Sequence, residues 1–439
     1  MVVTKLNFIV FCALSFVFGN NAAQANADTE ARILSLIESY QLKARQLLRE
    51  SVAINSGTMN FDGVKLVAEH LKEAYLEAGI ETEWLPGDEF GRAGHLTAQI
   101  GTHGVKFVLI GHLDTVFSQE SEFQAYQEVD EFHHKGPGIT DMKGGNVIML
   151  HVLKALKESG ALQNMQVKVI LTGDEEKSGK PLRAARAALI EAAKWADVAI
   201  GFEDGDSDPR TAVIARRGAI SWTLSVKGRP AHSSQIFREG YGDGAIYEAA
   251  RILNTFRERL ASLPNLTFNP GLIVGGTESH IGEDANATAF GKANVIAQTV
   301  KVKGDLRALS PEQLSLAKST MLAITQQNLA LTSAELVFNE GYPPLAPTEG
   351  NKKLLALFNQ ISLELGYGTV EAVNPRNAGA ADISFTSGHV LMAIDGLGLM
   401  GDGGHTIHET ADMRTFEQNM KRAALLMYRV ANSSNLIEP

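Results

Sequence analysis

Acidic residues and a histidine stand at the ends of predicted strands or at the start of a predicted helix. These residues are His112, Asp114, Asp141, Glu175, Glu176, Glu203 and Asp204. Because the carboxyl ends of parallel strands meet at one edge of a sheet, we expect the side chains to converge, although about 90 residues separate the first from the last. Each alone is explained as well by a helix cap or an acidic turn; their shared position indicates a functional site.

Imidazole and carboxylate groups in such a cluster are suited to binding cations. Nitrogen and oxygen ligands favour hard or borderline metal ions. Two ions held close together need a carboxylate between them, because their charges repel. Such a pair activates a water molecule as a nucleophile, and a further carboxylate must stay free to accept the proton. The pattern therefore predicts metal-dependent hydrolysis.

The elements that position these residues alternate between strand and helix. Apolar runs predict strands over 105–112, 166–172 and 198–202, and helical periodicity spans 144–159 and 182–193. Earlier helices are predicted over 31–50 and 64–78. This βαβαβ order favours an α/β fold with a mostly parallel sheet flanked by helices.

The pattern changes near residue 217. Residues 219–227 alternate between apolar and polar types, which is typical of an antiparallel strand with one exposed face. We predict an inserted α+β domain over 217–341, a helix at 245–260 within it, and a catalytic domain formed by 26–216 and 342–439. The catalytic domain resumes with a helix at 352–365, a strand at 390–394 and a helix around 416–430.

The first 25 residues have the features of a secretory signal. An apolar run, Phe8–Phe18, is too short to span a bilayer, and Ala23-Gln24-Ala25 supplies a cleavage pattern, with Ala25-Asn26-Ala27 as a second choice. We therefore expect a secreted or periplasmic protein. The only cysteine, Cys12, lies in this segment, so thiolate metal ligands are not expected. The net charge of −10 argues against nucleic acid or an anionic membrane surface as a partner.

The motifs His112-Leu113-Asp114-Thr115, 138-GITDMKGG-145 and 173-GDEE-176 occur in an order that resembles the co-catalytic di-zinc exopeptidases and deacylases. The resemblance covers nearly all of the predicted mature chain and is strongest to bacterial glutamate carboxypeptidases. It implies two zinc ions per subunit, and the same ligands also hold cobalt or manganese. It also implies that the Asp141–Met142 peptide bond is cis.

The resemblance implies a role for each residue of the cluster. His112 and Glu203 would bind one metal ion, Glu176 and His405 the other, and Asp141 would bridge both. Glu175 would be the general base, and Asp114 would orient the His112 ring.

Three choices between neighbours follow from the same pattern. Glu203 is preferred over Asp204 because the ligand follows a strand and an aromatic residue. His405 is preferred over His408 because the family ligand stands four residues before a glutamate. The adjacent pair His133-His134 is expected to be solvated, because neighbouring side chains on an extended segment point to opposite faces.

The inserted domain also carries motifs of the family. Residues 228–234 (GRPAHSS) resemble the segment in which a lid histidine, here His232, reaches the active site of a neighbouring subunit. Asn294 and Arg307 match lid residues that contact substrate near the scissile group. The resemblance therefore implies a homodimer formed through this domain.

Arg376 matches by spacing the arginine that binds the substrate α-carboxylate in glutamate carboxypeptidases. A guanidinium suits this task because it donates two parallel hydrogen bonds to a carboxylate. The predicted activity is thus an exported metallo-carboxypeptidase that releases a C-terminal amino acid from a peptide or N-acyl amino acid, with glutamate suggested by the resemblance. The alternatives are an N-acyl-amino-acid deacylase, an aminopeptidase and, more distantly, a non-catalytic periplasmic binding protein.

Overall fold

The structure, a computed structural model, describes residues 7–282, 286–433 and 436, with the backbone alone for residues 7–25. The predicted signal segment, 1–25, therefore lies outside the described side chains. In the described chain the helices are α1 (Asn7–Val52), α2 (Phe61–Glu77), α3 (Gly144–Glu158), α4 (Leu182–Ala185), α5 (Ala187–Trp195), α6 (Gly244–Leu260), α7 (Pro311–Thr325), α8 (Glu349–Glu364) and α9 (Arg414–Ala431). None of the helices described is both long and apolar enough to cross a membrane.

The strands are mostly short, and a few exceed seven residues. They are β1 (Thr82–Pro86), β2 (Gly94–Ile100), β3 (Val105–His112), β4 (Gln127–Glu128), β5 (His133–Lys135), β6 (Met165–Thr172), β7 (Val198–Gly201), β8 (Thr211–Ala212), β9 (Ile220–Gly228), β10 (Thr267–Gly276), β11 (Glu278–Ile281), β12 (Ala287–Phe290), β13 (Thr299–Arg307), β14 (Thr332–Phe338), β15 (Glu371–Ala372), β16 (Met392–Ile394), β17 (Gly401–Asp402) and β18 (Thr410–Asp412).

The first of two compact units contains residues up to 212, residues 348–372 and residues from 388 onward. Its six-stranded sheet has the order β1-β2-β6-β3-β7-β16, in which β6, β3, β7 and β16 run parallel and β1 and β2 are antiparallel at one edge. The last six residues of β3 are buried, as expected for a central parallel strand. The predicted α/β class with a mostly parallel sheet is confirmed.

The second unit is an α+β structure formed by residues 213–347 and 373–387. Its antiparallel sheet has the order β10-β13-β9-β14. Alternate residues of β9, among them Trp222 and Leu224, are buried against α6 and α7 through Ile252, Phe256 and Met321. One face of this sheet thus forms the core of the unit, which agrees with the alternating sequence pattern.

The units divide at positions that differ from the predicted domain limits of 217 and 341. Residues 373–387, which the prediction assigned to the catalytic domain, group with the second unit. The reason is local contact: Arg216 Nη1 donates to the Gly379 carbonyl at 2.8 Å, and Arg217 Nε donates to the Pro375 carbonyl at 3.3 Å. Such long-range main-chain contacts leave no periodic signal in the sequence.

Candidate metal centre and active site

His112 ends β3 with its side chain 1% exposed. Its Nδ1 lies 3.0 Å from the main-chain oxygen of Asp114, and its Nε2 lies 3.0 Å from Asp141 Oδ1 and 3.5 Å from Glu203 Oε1. A carbonyl oxygen only accepts hydrogen bonds, so we infer that Nδ1 carries the proton. This tautomer directs the lone pair of Nε2 toward the two carboxylates, as in a metal-binding histidine.

Asp141 presents its two carboxylate oxygens to different histidines. Oδ1 faces His112, and Oδ2 lies 2.8 Å from His405 Nε2. His405 Nε2 is also 3.3 Å from Glu176 Oε2. The Asp141–Met142 peptide bond is cis, as the sequence resemblance implied. Asp141 therefore joins a His112–Glu203 pair to a His405–Glu176 pair, which is the arrangement required of a bridging ligand.

The donor set fits metal cations. Ligand atoms of His112, Asp141 and Glu176 all lie within 4.8 Å of one another. Glu176 Oε1 is buried and has no hydrogen-bond partner among the described residues. Three carboxyl groups, counting Glu203, converge on two imidazoles, so acidic groups outnumber basic ones in the site. A buried carboxylate oxygen without a donor, in such a site, is suited to a cation.

The shifted pKa values of the cluster also indicate a cation site. Burial, reinforced by the charge of Asp141, raises the pKa of Glu176 to about 8. The hydrogen bond with Asp141 raises the pKa of His405 to about 9. Burial alone would lower the pKa of His112, but the charge of Glu203 and hydrogen bonds with surrounding carboxylates raise it well above its usual range. The site therefore favours added positive charge.

Asp114 is fully buried below the cluster and contacts more than His112. Its carboxylate accepts hydrogen bonds from the main-chain N–H groups of Glu175 (3.0 Å) and Glu176 (3.2 Å) and from Thr58 Oγ1 (2.6 Å). The distance from Asp114 Oδ1 to His112 Nδ1 is 3.5 Å. The Asp114 side chain thus fixes the turn that carries the half-buried Glu175. The shorter contact to the His112 ring is made by the main-chain oxygen of Asp114.

A second buried acid holds the loop that carries Asp141. Glu409 Oε1 accepts hydrogen bonds from Thr140 N (2.9 Å), Thr140 Oγ1 (3.1 Å) and Asp141 N (3.2 Å), and Oε2 accepts one from Gly138 N (2.9 Å). In the sequence, this glutamate served only as a marker for His405. Its position immediately after an exposed loop gave no indication that it would be fully buried.

Asp174 and Arg186 were also missed. Arg186 Nη1 donates to Asp174 Oδ1 at 2.6 Å, and both side chains are fully buried. Asp174 Oδ2 accepts from Gly179 N at 2.7 Å, so the pair supports the turn that contains Glu175 and Glu176. Arg186 also interrupts the predicted helix 182–193, which is divided into α4 and α5. In the sequence, the signal that could have indicated this buried ion pair was an arginine within an alanine-rich segment.

The residues that the sequence left as alternatives, namely Asp204, His408 and the His133-His134 pair, differ in their exposure to solvent. His408 is exposed and Asp204 is half-buried, whereas the preferred residues His405 and Glu203 make the contacts described above. His133 lies at the surface beside Asp130 (2.9 Å), but His134 is 6% exposed and pairs with Tyr126. The expectation of a solvated histidine pair therefore holds for His133 and is wrong for His134.

The remaining predicted site residues belong to the second unit. His232 is exposed, and its Nδ1 lies 2.9 Å from Ser234 Oγ. Asn294 is linked to the residue after His232, because Ser233 N donates a hydrogen bond to the Asn294 carbonyl oxygen (2.9 Å). Arg307 ends β13 and pairs with Asp305 at 3.1 Å. Arg376 lies in an exposed loop within the 373–387 segment.

Comparison with known proteins gives matches over most of the chain. The profile of Peptidase family M20/M25/M40 matches residues 108–433. Carboxypeptidase G2 of Pseudomonas sp. (strain RS-16) is 25% identical over 418 residues, which are 94% of this chain and 95% of the relative. Among solved structures, aminopeptidase PepT from Bacillus cereus gives a TM-score of 0.67 at 17% identity, covering 89% of this chain and 99% of that one. A dinuclear metal-binding M20 peptidase from Bacillus subtilis gives 0.61 at 14% identity, covering 90% and 99%.

Proposed function

Because the chain belongs to Peptidase family M20/M25/M40, and is thus a metallopeptidase, we propose that it acts as a di-zinc carboxypeptidase that releases a C-terminal amino acid from a peptide or N-acyl amino acid. The observation that carries this proposal is the arrangement around Asp141, whose two oxygens face His112 and His405. Glu203 and Glu176 complete the two halves of the proposed ligand set.

The metal ions, when bound, would polarise the scissile carbonyl and acidify the attacking water. The Glu175 carboxylate then takes the proton from that water and passes it to the leaving amine nitrogen. Asp114 contributes by fixing the main chain of Glu175 and Glu176, which keeps the base and the adjacent ligand in a constant relative position. His112 is held by the main-chain oxygen of Asp114.

The second unit supplies the proposed substrate contacts. Arg376 binds the C-terminal carboxylate, and Asn294 and Arg307 contact the substrate near the scissile bond. His232 stabilises the oxyanion in the active site of a partner subunit, in a homodimer formed through this unit. We also propose that the chain is exported after cleavage near residue 25, which the N-terminal sequence of the mature protein tests.

The decisive experiment is hydrolysis of N-blocked dipeptides by the zinc-loaded protein, each assayed beside its C-terminal amide. The proposal predicts release of free C-terminal amino acids from the acids, with the amides at least about tenfold slower, because the amide removes the charge bound by Arg376. Equal rates on acids and amides would contradict the carboxypeptidase assignment. Activity only on free-amine peptides would identify an aminopeptidase instead, and activity only on short acyl groups a deacylase.

A further inference from the structure

The start of α3 lies against two of the segments that carry proposed metal ligands. Asn146, in the first turn of this helix, donates a hydrogen bond from Nδ2 to the main-chain oxygen of His112 at 2.6 Å. A Cβ atom at Gly145 would lie only 1.9 Å from the main-chain oxygen of Phe202, the residue before Glu203. The first turn of α3 is therefore in direct contact with the backbone at the ends of β3 and β7.

The same helix follows the loop that carries the bridging carboxylate. Asp141 lies three residues before α3, and Met142, between them, is fully buried. A Cβ atom at Gly111 would lie 2.7 Å from Met142 Cε and 2.5 Å from Asn146 Oδ1, so both side chains pack closely on the end of β3. Asn146 thus joins His112 to the helix that begins after Asp141, and His112 Nε2 lies 3.0 Å from Asp141 Oδ1.

The Asn146 amide is buried although only one of its two polar atoms is hydrogen-bonded. The residue is 1% exposed, and Oδ1 has no hydrogen-bond partner among the residues that the structure describes. A buried acceptor without a donor destabilises the folded state, and an apolar side chain of similar shape would avoid this cost. The side chain therefore contributes little net stability, and its hydrogen bond to His112 is the interaction that distinguishes it from a leucine.

We propose that Asn146 is a positioning residue of the metal centre. Its amide fixes the main chain at the end of β3 relative to the start of α3, so that the His112 imidazole and the bridging Asp141 carboxylate keep the separation needed to share one cation. Partners that orient metal ligands without touching the metal typically contribute about 10- to 100-fold to metal affinity. This proposal rests on the metal-dependent function proposed above.

Asn146→Leu removes the hydrogen bond and nearly preserves the size of the side chain. In the metal-free protein we expect the midpoint of urea unfolding to stay at the wild-type value or to rise, because the unpaired acceptor is removed together with the donor. In a Co²⁺ titration followed by visible absorption, we expect the affinity for Co²⁺ to fall by about 10- to 100-fold. A residue that only supported the fold would give the opposite result: the midpoint would fall, and the affinity of the folded protein would not change.

Asn359→Leu is the matched control, because it removes one hydrogen bond between an asparagine side chain and the main chain elsewhere in the same unit, from Val370 N to Asn359 Oδ1 (2.8 Å). It should leave the Co²⁺ affinity unchanged. Asn146→Ala is a second variant that cannot clash with Gly111, and it should weaken Co²⁺ binding to a similar degree. Wild-type Co²⁺ affinity in either folded Asn146 variant would overturn the proposal.

Failure of the carboxypeptidase function is a separate result, because neither measurement uses a substrate. A protein that hydrolyses no dipeptide acid but loses Co²⁺ affinity on Asn146→Leu would refute that activity and support the positioning role. A wild-type protein that binds no Co²⁺ would overturn the positioning role, and the metal centre with it.

Discussion

Replacing Glu409 with glutamine tests how far a buried carboxylate controls the loop that carries Asp141. The native carboxylate accepts three hydrogen bonds at Oε1 and one at Oε2. A glutamine keeps one acceptor oxygen. In its better orientation it retains the bonds from Thr140 and Asp141 and turns its NH₂ group toward the N–H of Gly138, so that two donors face each other without an acceptor.

The size of the effect follows from these contacts. A hydrogen bond to a buried charged group contributes about 1.5–3 kcal/mol, and a buried donor left without a partner costs about 1–3 kcal/mol. The variant also removes the charge that opposes the burial of Lys143, whose pKa burial lowers to about 7. We therefore expect a loss of about 2–4 kcal/mol in the free energy of unfolding. Metal affinity should fall by about 10- to 100-fold, because the Gly138–Asp141 loop is no longer fixed.

Two measurements on the same protein separate these effects. Urea unfolding of the metal-free protein gives the stability change, and a Co²⁺ titration followed by visible absorption gives the metal affinity. Glu191→Gln serves as the control, because it removes a single surface ion pair with Lys194 and should cost no more than about 1 kcal/mol. If Glu409→Gln bound Co²⁺ with wild-type affinity, the loop would be positioned by other contacts and the reasoning would be refuted.

Further predictions concern the base, a buried ion pair and a buried histidine. Glu175→Gln should lower kcat by about 10²–10⁴-fold with an unchanged metal content by elemental analysis; an unchanged kcat would remove Glu175 from the proton transfer. Arg186→Met should lower the free energy of unfolding, measured with urea, by about 3–5 kcal/mol, because Asp174 then stays buried without its counter-ion. Adding Asp174→Asn should recover part of that loss. A loss below about 1 kcal/mol in Arg186→Met would contradict a structural role for the pair. Burial lowers the pKa of His151 to about 4 in the folded protein. Between about pH 6.5 and 4 the unfolded chain therefore binds a proton at this residue that the folded protein does not bind, so the free energy of unfolding should decrease as the pH falls through this range. His151→Gln should flatten this part of the stability profile in urea unfolding at several pH values, and an unchanged slope would contradict the assignment.

The sequence was informative where chemistry and periodicity coincide. Residues 107–111, which precede His112, form an uninterrupted apolar run. The residue that ends this strand had to lie at the carboxyl edge of the sheet, so the convergence with Asp141 and Glu203 was predictable. The assignment of residues 373–387 to the second unit was not, because it depends on hydrogen bonds from arginine side chains to distant carbonyl groups. For the same reason, the role of Glu409 could not be seen before its main-chain partners were known.

The buried acids around the candidate site share one physical principle. Asp114 accepts main-chain hydrogen bonds from Glu175 and Glu176, Glu409 accepts one from Asp141, and Asp395 accepts one from Glu203 at 3.3 Å. Four acidic residues of the proposed site are thus held in place by hydrogen bonds from their main-chain N–H groups.

This arrangement has an electrostatic cost, because it adds buried negative charge beneath carboxylates that already repel one another. Main-chain N–H groups stabilise each buried acid locally, but they carry only partial charges. Two divalent cations would supply the full charge that the cluster lacks. Above about pH 8, where the Glu176 carboxyl of the metal-free protein is ionised, metal removal should therefore destabilise the wild-type protein more than a variant in which Glu176 is replaced by glutamine, because that variant has one repelling charge fewer. Thermal unfolding of both proteins, with and without a chelator, measures this difference, and an equal loss in both would show that repulsion at Glu176 is unimportant.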